Sequence, residues 1–433
     1  MKEKLTIQQK LSMRKAKKPN KFIWFILLKI IVPILAKKYH PHYVIKDNIR
    51  DYKGPKFIIF NHQSRMDYLW ITQMTHGEPF NFVIGYNEFF RKKFAFIFNL
   101  IRSIPKKNFT TDIPAIKQMN QIIKQGGTVC FSPEGMSSIT GHNQPIVPGT
   151  GKFFKHYGIP VFLSKSSGGF LTAHKVCLDE RPGRIEAEFS CLFTPEQLEK
   201  LSEKEIEDKI NEALWNDDFE WNKKEHVKFD SHGNITSHYE DLMYRCPKCG
   251  AELQMSTHGN IIECKACGNG VVVDDYYDMH PLHEGDVVPE SPSKWVNEER
   301  REEYLKIKND PNYSFTCNVE LRELPKYKYI KSNDTGLPCG NGVVTINHEG
   351  FFYKGTRNGK PYDFKLTYDK FWTLVIVTDC TFTALYLDGE YLEIHPDKPA
   401  IGKMLLMVEE FSRFHYNVWP NFPWMDWIYK ESK

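Results

Sequence analysis

Hydrophobic and polar positions change their period several times along the chain. Between about residues 55 and 195, short apolar runs alternate with stretches of helical spacing. The runs Lys56 to Phe60 (KFIIF), Asn81 to Ile84, Thr128 to Phe131 and Ile159 to Leu163 predict strands. Ile113 to Lys124 carries apolar residues at helical spacing and stops at Gly126-Gly127, as a helix end should. The alternation predicts an α/β domain with a mostly parallel sheet. Pro195 to Trp215 predicts a charged amphipathic helix that completes or leaves it.

Beyond about residue 240 the pattern differs. A compact cysteine-bearing stretch, 244–275, is followed by a polar linker over 276–316 with Pro289, Pro292 and a charged helix from Trp295 to Lys308. From about Cys317 the chain alternates at period two. Strands are expected at Gly342 to Ile346, Gly350 to Lys354, Tyr362 to Leu366, Trp372 to Val377, Thr383 to Leu387 and Glu390 to His395. Asn358-Gly359 and Asp388-Gly389 sit where hairpin turns are needed. A helix over Pro399 to Phe414 closes the set, so residues 317–433 resemble in pattern a pleckstrin-homology-like or GRAM-like module.

The first forty residues read differently again. Lys2, Lys4, Lys10, Arg14, Lys15, Lys17, Lys18 and Lys21 crowd against one acid, Glu3, which suits an anionic surface. The apolar run Phe22 to Ala36 follows, interrupted by Lys29 and Pro33. As a helix its roughly 15 residues reach about 22 Å, short of the ~30 Å hydrocarbon core. A monotopic helix on the cytoplasmic face of a membrane is therefore expected, with Trp24 and the flanking lysines at the interface, and a buried packing helix is the competing reading. A signal peptide would need a small-residue cleavage site, and none follows the run. The 433 residues exceed one typical core, and the net charge of +4 is too small to imply nucleic acid. Four of the 10 cysteines form a metal pattern and the rest are scattered, which suits a reducing compartment.

The candidate chemistry begins where KFIIF runs into Asn61-His62-Gln63-Ser64-Arg65-Met66-Asp67. Ser64 and Asp67 have the form of a capping box, which predicts a helix starting near Ser64. His62 then lies on the loop at the carboxyl end of a strand, the edge of an α/β sheet where ligands bind. A carboxylate folding back from Asp67 would fix the imidazole tautomer and stabilise the imidazolium formed on accepting a proton. The competing reading is a structural histidine beside a capping aspartate. A second loop, Ser132-Pro133-Glu134-Gly135-Met136-Ser137-Ser138, also follows an apolar strand. Its proline and glycine force a tight turn, and Glu134 is placed either for a polar ligand or for positioning other loops.

Together these residues resemble the glycerolipid acyltransferases exemplified by lysophosphatidic acid acyltransferase. The first motif of that family, NHxxxxD, is matched by Asn61, His62 and Asp67. The third, FPEGTRS, is matched by residues 132–138 with departures, and the fourth resembles Gly158 to Leu163. The second is only echoed by Ile101 to Lys107, and the resemblance spans roughly residues 20–215. It implies an acyltransferase domain over 41–240 that moves an acyl group from acyl-CoA or acyl-carrier protein to a lysolipid hydroxyl, with 1-acyl-glycerol-3-phosphate as first acceptor. His62 would be general base and Asp67 its orienter. Asn61, Lys106, Lys107, Glu134, Gly135 and Ser137 would bind substrate. Ser137 stands where the family carries an arginine, and it offers no charge-assisted fork to a phosphate.

Cys246-Pro-Lys-Cys249 and Cys264-Lys-Ala-Cys267 are two knuckles of the kind that hold structural Zn²⁺ in a small ribbon. Such binding contributes roughly 10 to 16 kcal/mol to folding. A ribbon also fits nucleic-acid proteins, but acids surround Lys248 and Lys265, so a scaffold role is expected and no nucleic-acid partner. The alternative function is a catalytically degenerate lipid-binding or scaffold protein that recruits partners through the ribbon and the C-terminal module.

Overall fold

A computed structural model describes residues 4–417; the end of the expected C-terminal module and the first residues of the basic tail lie outside the described residues. Seven strands form the first sheet: β1 (Pro41–Ile45), β2 (Lys56–Phe60), β3 (Phe80–Gly85), β4 (Ile104–Lys106), β5 (Thr128–Phe131), β6 (Val161–Ser167) and β7 (Ile185–Phe193). Their order is β1-β7-β6-β2-β5-β3-β4, and every pairing is parallel except β6 with β7. The first helices are α1 (Ile7–Met13), α2 (Lys21–Ile26), α3 (Val32–Ala36), α4 (Asp67–Met74), α5 (Lys92–Leu100) and α6 (Ile113–Lys124). Helices cover both faces of the sheet centre, so β2 is buried along its whole length and has no polar alternation. β2 and β5 are neighbours, with Ile59 opposite Phe131, and the loops that follow them emerge side by side.

Several local expectations are corrected. No helix starts at Ser64. α4 begins at Asp67, and Ser64 instead closes a turn ahead of it, its hydroxyl accepting the Met66 N–H and its own N–H pointing to the Asp67 carboxylate. The Pro195 to Trp215 stretch is two helices, Pro195–Lys200 and Glu203–Leu214, because Ser202 and Glu205 form a capping box that restarts it. α2 passes through a π turn, Leu27–Ile31, into α3. Pro33 cannot donate to the carbonyl four residues back, and the turn ahead of it widens. Trp24 is not at an interface: it is buried edge-on against Phe80. The basic tail is not free either. α1 buries Ile7 and Leu11, the Ile7 N–H donates to the Lys326 carbonyl, and Arg14 is held by Asn99 and Ser103. Among the described residues no helix is long and apolar enough to cross a membrane.

The cysteine-bearing stretch is an antiparallel ribbon of β8 (Met255–His258), β9 (Ile261–Cys264), β10 (Gly270–Val273) and β11 (Met279–Pro281). The last sheet is an antiparallel meander, β12 (Ser314–Glu323), β13 (Leu337–Asn347), β14 (Gly350–Arg357), β15 (Lys360–Leu366), β16 (Val375–Ile376), β17 (Thr383–Leu387) and β18 (Glu390–Pro396), in the order β15-β14-β13-β12-β18-β17-β16. The final strand thus returns to pair with the first, and the helix Ile401–Tyr416 packs against the meander.

These parts share one apolar core that runs from Met136 and Phe170 through Tyr244 and Val271 of the ribbon to Leu392 and Leu405. The helix expected inside the linker, observed at Pro292–Asn309, lies within this assembly rather than beside it. Its Arg300 is buried between Glu409 and Glu410, at 2.6 and 2.7 Å. Its Glu303 accepts from Tyr244, Tyr313, Lys306 and Lys403. Removing one partner of a buried charge cluster leaves the others desolvated and unpaired. Glu303→Ala is therefore expected to cost about 3 to 5 kcal/mol, measured as a lowered urea midpoint, with ribbon and meander unfolding together.

Candidate active site

His62 follows β2 directly, and its ring is held by the acid five residues later. Nδ1 lies 2.7 Å from Asp67 Oδ2, and the carboxylate also accepts the Ser64 N–H at 3.2 Å. Burial pushes the Asp67 carboxyl up, while the His62 ring and the Ser64 and Gln63 N–H groups pull it down. With Asp67 accepting, Nδ1 carries the hydrogen and Nε2 keeps its lone pair. The imidazole remains about a third exposed while Asp67 is covered, so the ring's free edge is the reachable part of the pair. Phe60 sits edge-on to the imidazole at 5.4 Å and limits its tilt.

The loop after β5 holds the main chain of the same histidine. Glu134 Oε1 accepts the His62 N–H at 2.8 Å, and the His62 carbonyl accepts the Ser138 N–H at 2.7 Å. Glu134 is fully buried and takes two further donors, the Asn143 amide at 3.1 Å and the Gln144 N–H at 2.8 Å. Of the two placements open to it from sequence, it takes the one that positions loops. Gly135 has φ +82°, and a Cβ there would stand 2.7 Å from the Phe109 ring, so a side chain at this position would push the two loops apart.

The remaining expected substrate contacts fall in different places. Asn61 is corrected to a strut: it is buried, and its amide spans the main chain of Ser166, donating at 2.7 Å and accepting at 2.8 Å. Lys106 is turned onto the carbonyls of Lys107 and Thr110, and burial lowers its ammonium to about 8. Lys107 donates to the Gly389 carbonyl in the β17–β18 turn and lies over the rings of Tyr86 and Tyr386. Ser137 is half-buried on the Glu134 loop and brings no charge. Sequence reading missed Asn143 and Gln144, for which only the flanking Gly141 and Pro145 hint that the stretch folds back, and it gave Ser138 of the motif no role of its own.

The four ribbon cysteines converge. Their sulfur atoms all lie within 4.8 Å of one another, with Cys246 to Cys267 at 3.6 Å and Cys249 to Cys264 at 3.9 Å. Tetrahedral Zn–S bonds of ~2.3 Å set sulfur atoms ~3.8 Å apart, so the donor set fits such an ion. The two knuckles repeat one geometry: Gly250 donates to the Cys246 carbonyl and Gly268 to that of Cys264, each glycine at φ +73°.

Burial raises the Glu134 carboxyl from 4.5 to about 7. The folded chain therefore keeps a proton that the unfolded chain releases above 4.5. This contribution to stability is complete below that pH and lost as pH rises through about 7, worth of order 3 kcal/mol in all. A plot of urea midpoint against pH is expected to fall between about 5 and 7, and Glu134→Gln is expected to flatten it.

Residues 40–162 match a family model described as Acyltransferase. Among solved structures, the chain resembles the crystal structure of the 1-acyl-sn-glycerophosphate (LPA) acyltransferase PlsC from Thermotoga maritima. The identity is 17 %, over 45 % of this chain and 77 % of that one, with a TM-score of 0.37. No curated protein matches the chain. The matched segment runs through β2, the His62–Asp67 pair and the Glu134 loop, so the likeness to the acyltransferase family lies in the part of the chain that carries the candidate site.

Proposed function

We propose that the chain transfers a fatty acyl group from acyl-CoA or acyl-carrier protein to the hydroxyl of a lysolipid, in phospholipid biosynthesis at the cytoplasmic face of a membrane. The observation that carries the reading is the 2.7 Å contact between His62 Nδ1 and Asp67. His62 Nε2 takes the proton of the acceptor hydroxyl as its oxygen attacks the thioester carbonyl carbon. The C–S bond then breaks, and the imidazolium returns its proton to the leaving thiolate. Asp67 stays ionised throughout, holding the ring and balancing its transient charge. No acyl group is carried by the protein in this sequence.

The acceptor of first choice is 1-acyl-glycerol-3-phosphate. Its phosphate would meet the segment that carries Lys106 and Lys107, where the Lys107 ammonium has one main-chain acceptor besides the Tyr86 and Tyr386 rings and Lys106 has two. Ser137 weakens this preference, and a lysolipid without a terminal phosphate is the other acceptor class. The meander whose last strand pairs with its first, with a helix against it, supports a PH-like or GRAM-like reading of the C-terminal region. The four thiolates suit a structural Zn²⁺, since all four positions would be filled by protein.

His62→Ala is expected to lower transfer from radiolabelled acyl-CoA to lysolipid by about 10² to 10⁴ with the thermal transition unchanged. Asp67→Asn should lower it as well, by freeing the ring. Unchanged turnover in His62→Ala would remove the mechanism. For the ribbon, elemental analysis is expected to find one zinc per chain, and Cys249→Ser should lose the metal and the stability together.

A further inference from the structure

We propose that α5 is a second membrane-inserting element, lying beside the α2–α3 helix on one lipid-facing surface. The proposal rests on the membrane part of the reading above and adds an element to it. α5 has the sequence KKFAFIFNL, and only Ala95 of it is buried. Phe96 is 71 % exposed, and Phe94, Ile97 and Leu100 are exposed beside it. A helix in water hides such residues against a core; among the described residues this one keeps Phe96, Ile97 and Leu100 turned outward, while Phe94 is shared with Phe98 and the Arg91 guanidinium.

Its position gives the occupant. The β2-to-β3 and β3-to-β4 connections step the same way across the sheet, and right-handed crossovers place α4 and α5 on one face. The α2–α3 helix is on that face too, tied to α4 by the Gln73 amide on the Leu28 carbonyl and to β3 by Trp24 on Phe80. The segment before α2 runs along the end of α5. Arg14 reaches Asn99, Arg102 donates to the Lys18 carbonyl, and Asn81 bonds the Lys17 and Arg102 carbonyls together. The exposed Phe22 and Phe25 thus open α2 a few residues after a segment that is bonded to the end of α5. Exposed Lys17, Lys18 and Lys21 lie just before and at the start of α2, and exposed Lys92 and Lys93 begin α5. Two apolar helices with exposed lysines at their margins match a bilayer whose surface carries anionic headgroups.

Vesicle flotation tests this, using phosphatidylcholine with or without phosphatidylglycerol. Phe96→Ser with Ile97→Ser is expected to weaken binding to both vesicles at least about ten-fold, with a nearly unchanged thermal transition, because neither side chain belongs to a buried core cluster. Lys92→Glu with Lys93→Glu is expected to remove only part of the increment that phosphatidylglycerol adds. If the serine variant floats like the unmodified chain while Phe25→Ser with Ile34→Ser does not, the membrane reading stands and α5 is excluded from it. If the unmodified chain floats with neither vesicle, the membrane reading itself falls, and α5 with it. A dimer in vesicle-free solution that the serine variant abolishes would assign the face to a second copy and overturn the proposal.

Discussion

The main chain of His62 is gripped from both sides by a loop that lies some seventy residues away in sequence. Glu134 takes its N–H, and Ser138 gives an N–H to its carbonyl. A ring held only by Asp67 could still swing with its loop. With the peptide groups fixed as well, the imidazole keeps its aim whenever the Asp67 contact holds, which is what proton transfer at a fixed distance requires. The grip exists because β2 and β5 are adjacent and in register, so both loops leave the sheet at the same edge. Glu134 is fully buried to serve this purpose, and its raised carboxyl is the physical cost of the position.

A second constraint joins the seven-stranded sheet to the rest of the molecule. The Glu134 loop passes through His142, whose Nε2 meets Asn297 on the helix Pro292–Asn309 at 3.1 Å. That helix holds the ribbon through Glu299 on the Arg245 N–H and the final helix through Arg300. Lys175, just beyond β6, donates to the Ile376 carbonyl in the meander, and Asp379 returns an N–H to the Lys175 carbonyl. Main-chain partners make these contacts insensitive to side-chain identity on the far side, and a cysteine ribbon too small for its own core gains one by sharing. The meander also reaches the candidate acceptor segment, because the turn at Gly389 receives Lys107.

Much of this was legible in the amino-acid order. KFIIF and TVCF end where expected, Ile113–Lys124 is observed with the predicted bounds, and the turns at Asn358-Gly359 and Asp388-Gly389 have the positive φ values that a two-residue hairpin needs. The His62–Asp67 approach and the meeting of the four cysteines were also written in short spacings. All of these are local: a periodicity, a turn chemistry or a few residues between partners fixes them before the chain folds. Tertiary structure decided the rest. Trp24 looks interfacial until Phe80 is brought to it, and Asn61 looks like a ligand contact until β6 is laid beside β2. Glu134 could face a substrate or a neighbouring loop, and strand adjacency chose the loop. The charged helix expected at Trp295 to Lys308 reads as part of a polar linker, and only the opposing charges on the final helix let it be buried. Sequence thus determined which groups were available, whereas strand order determined which of them met, because partners far apart in the chain leave no period for a local pattern to record.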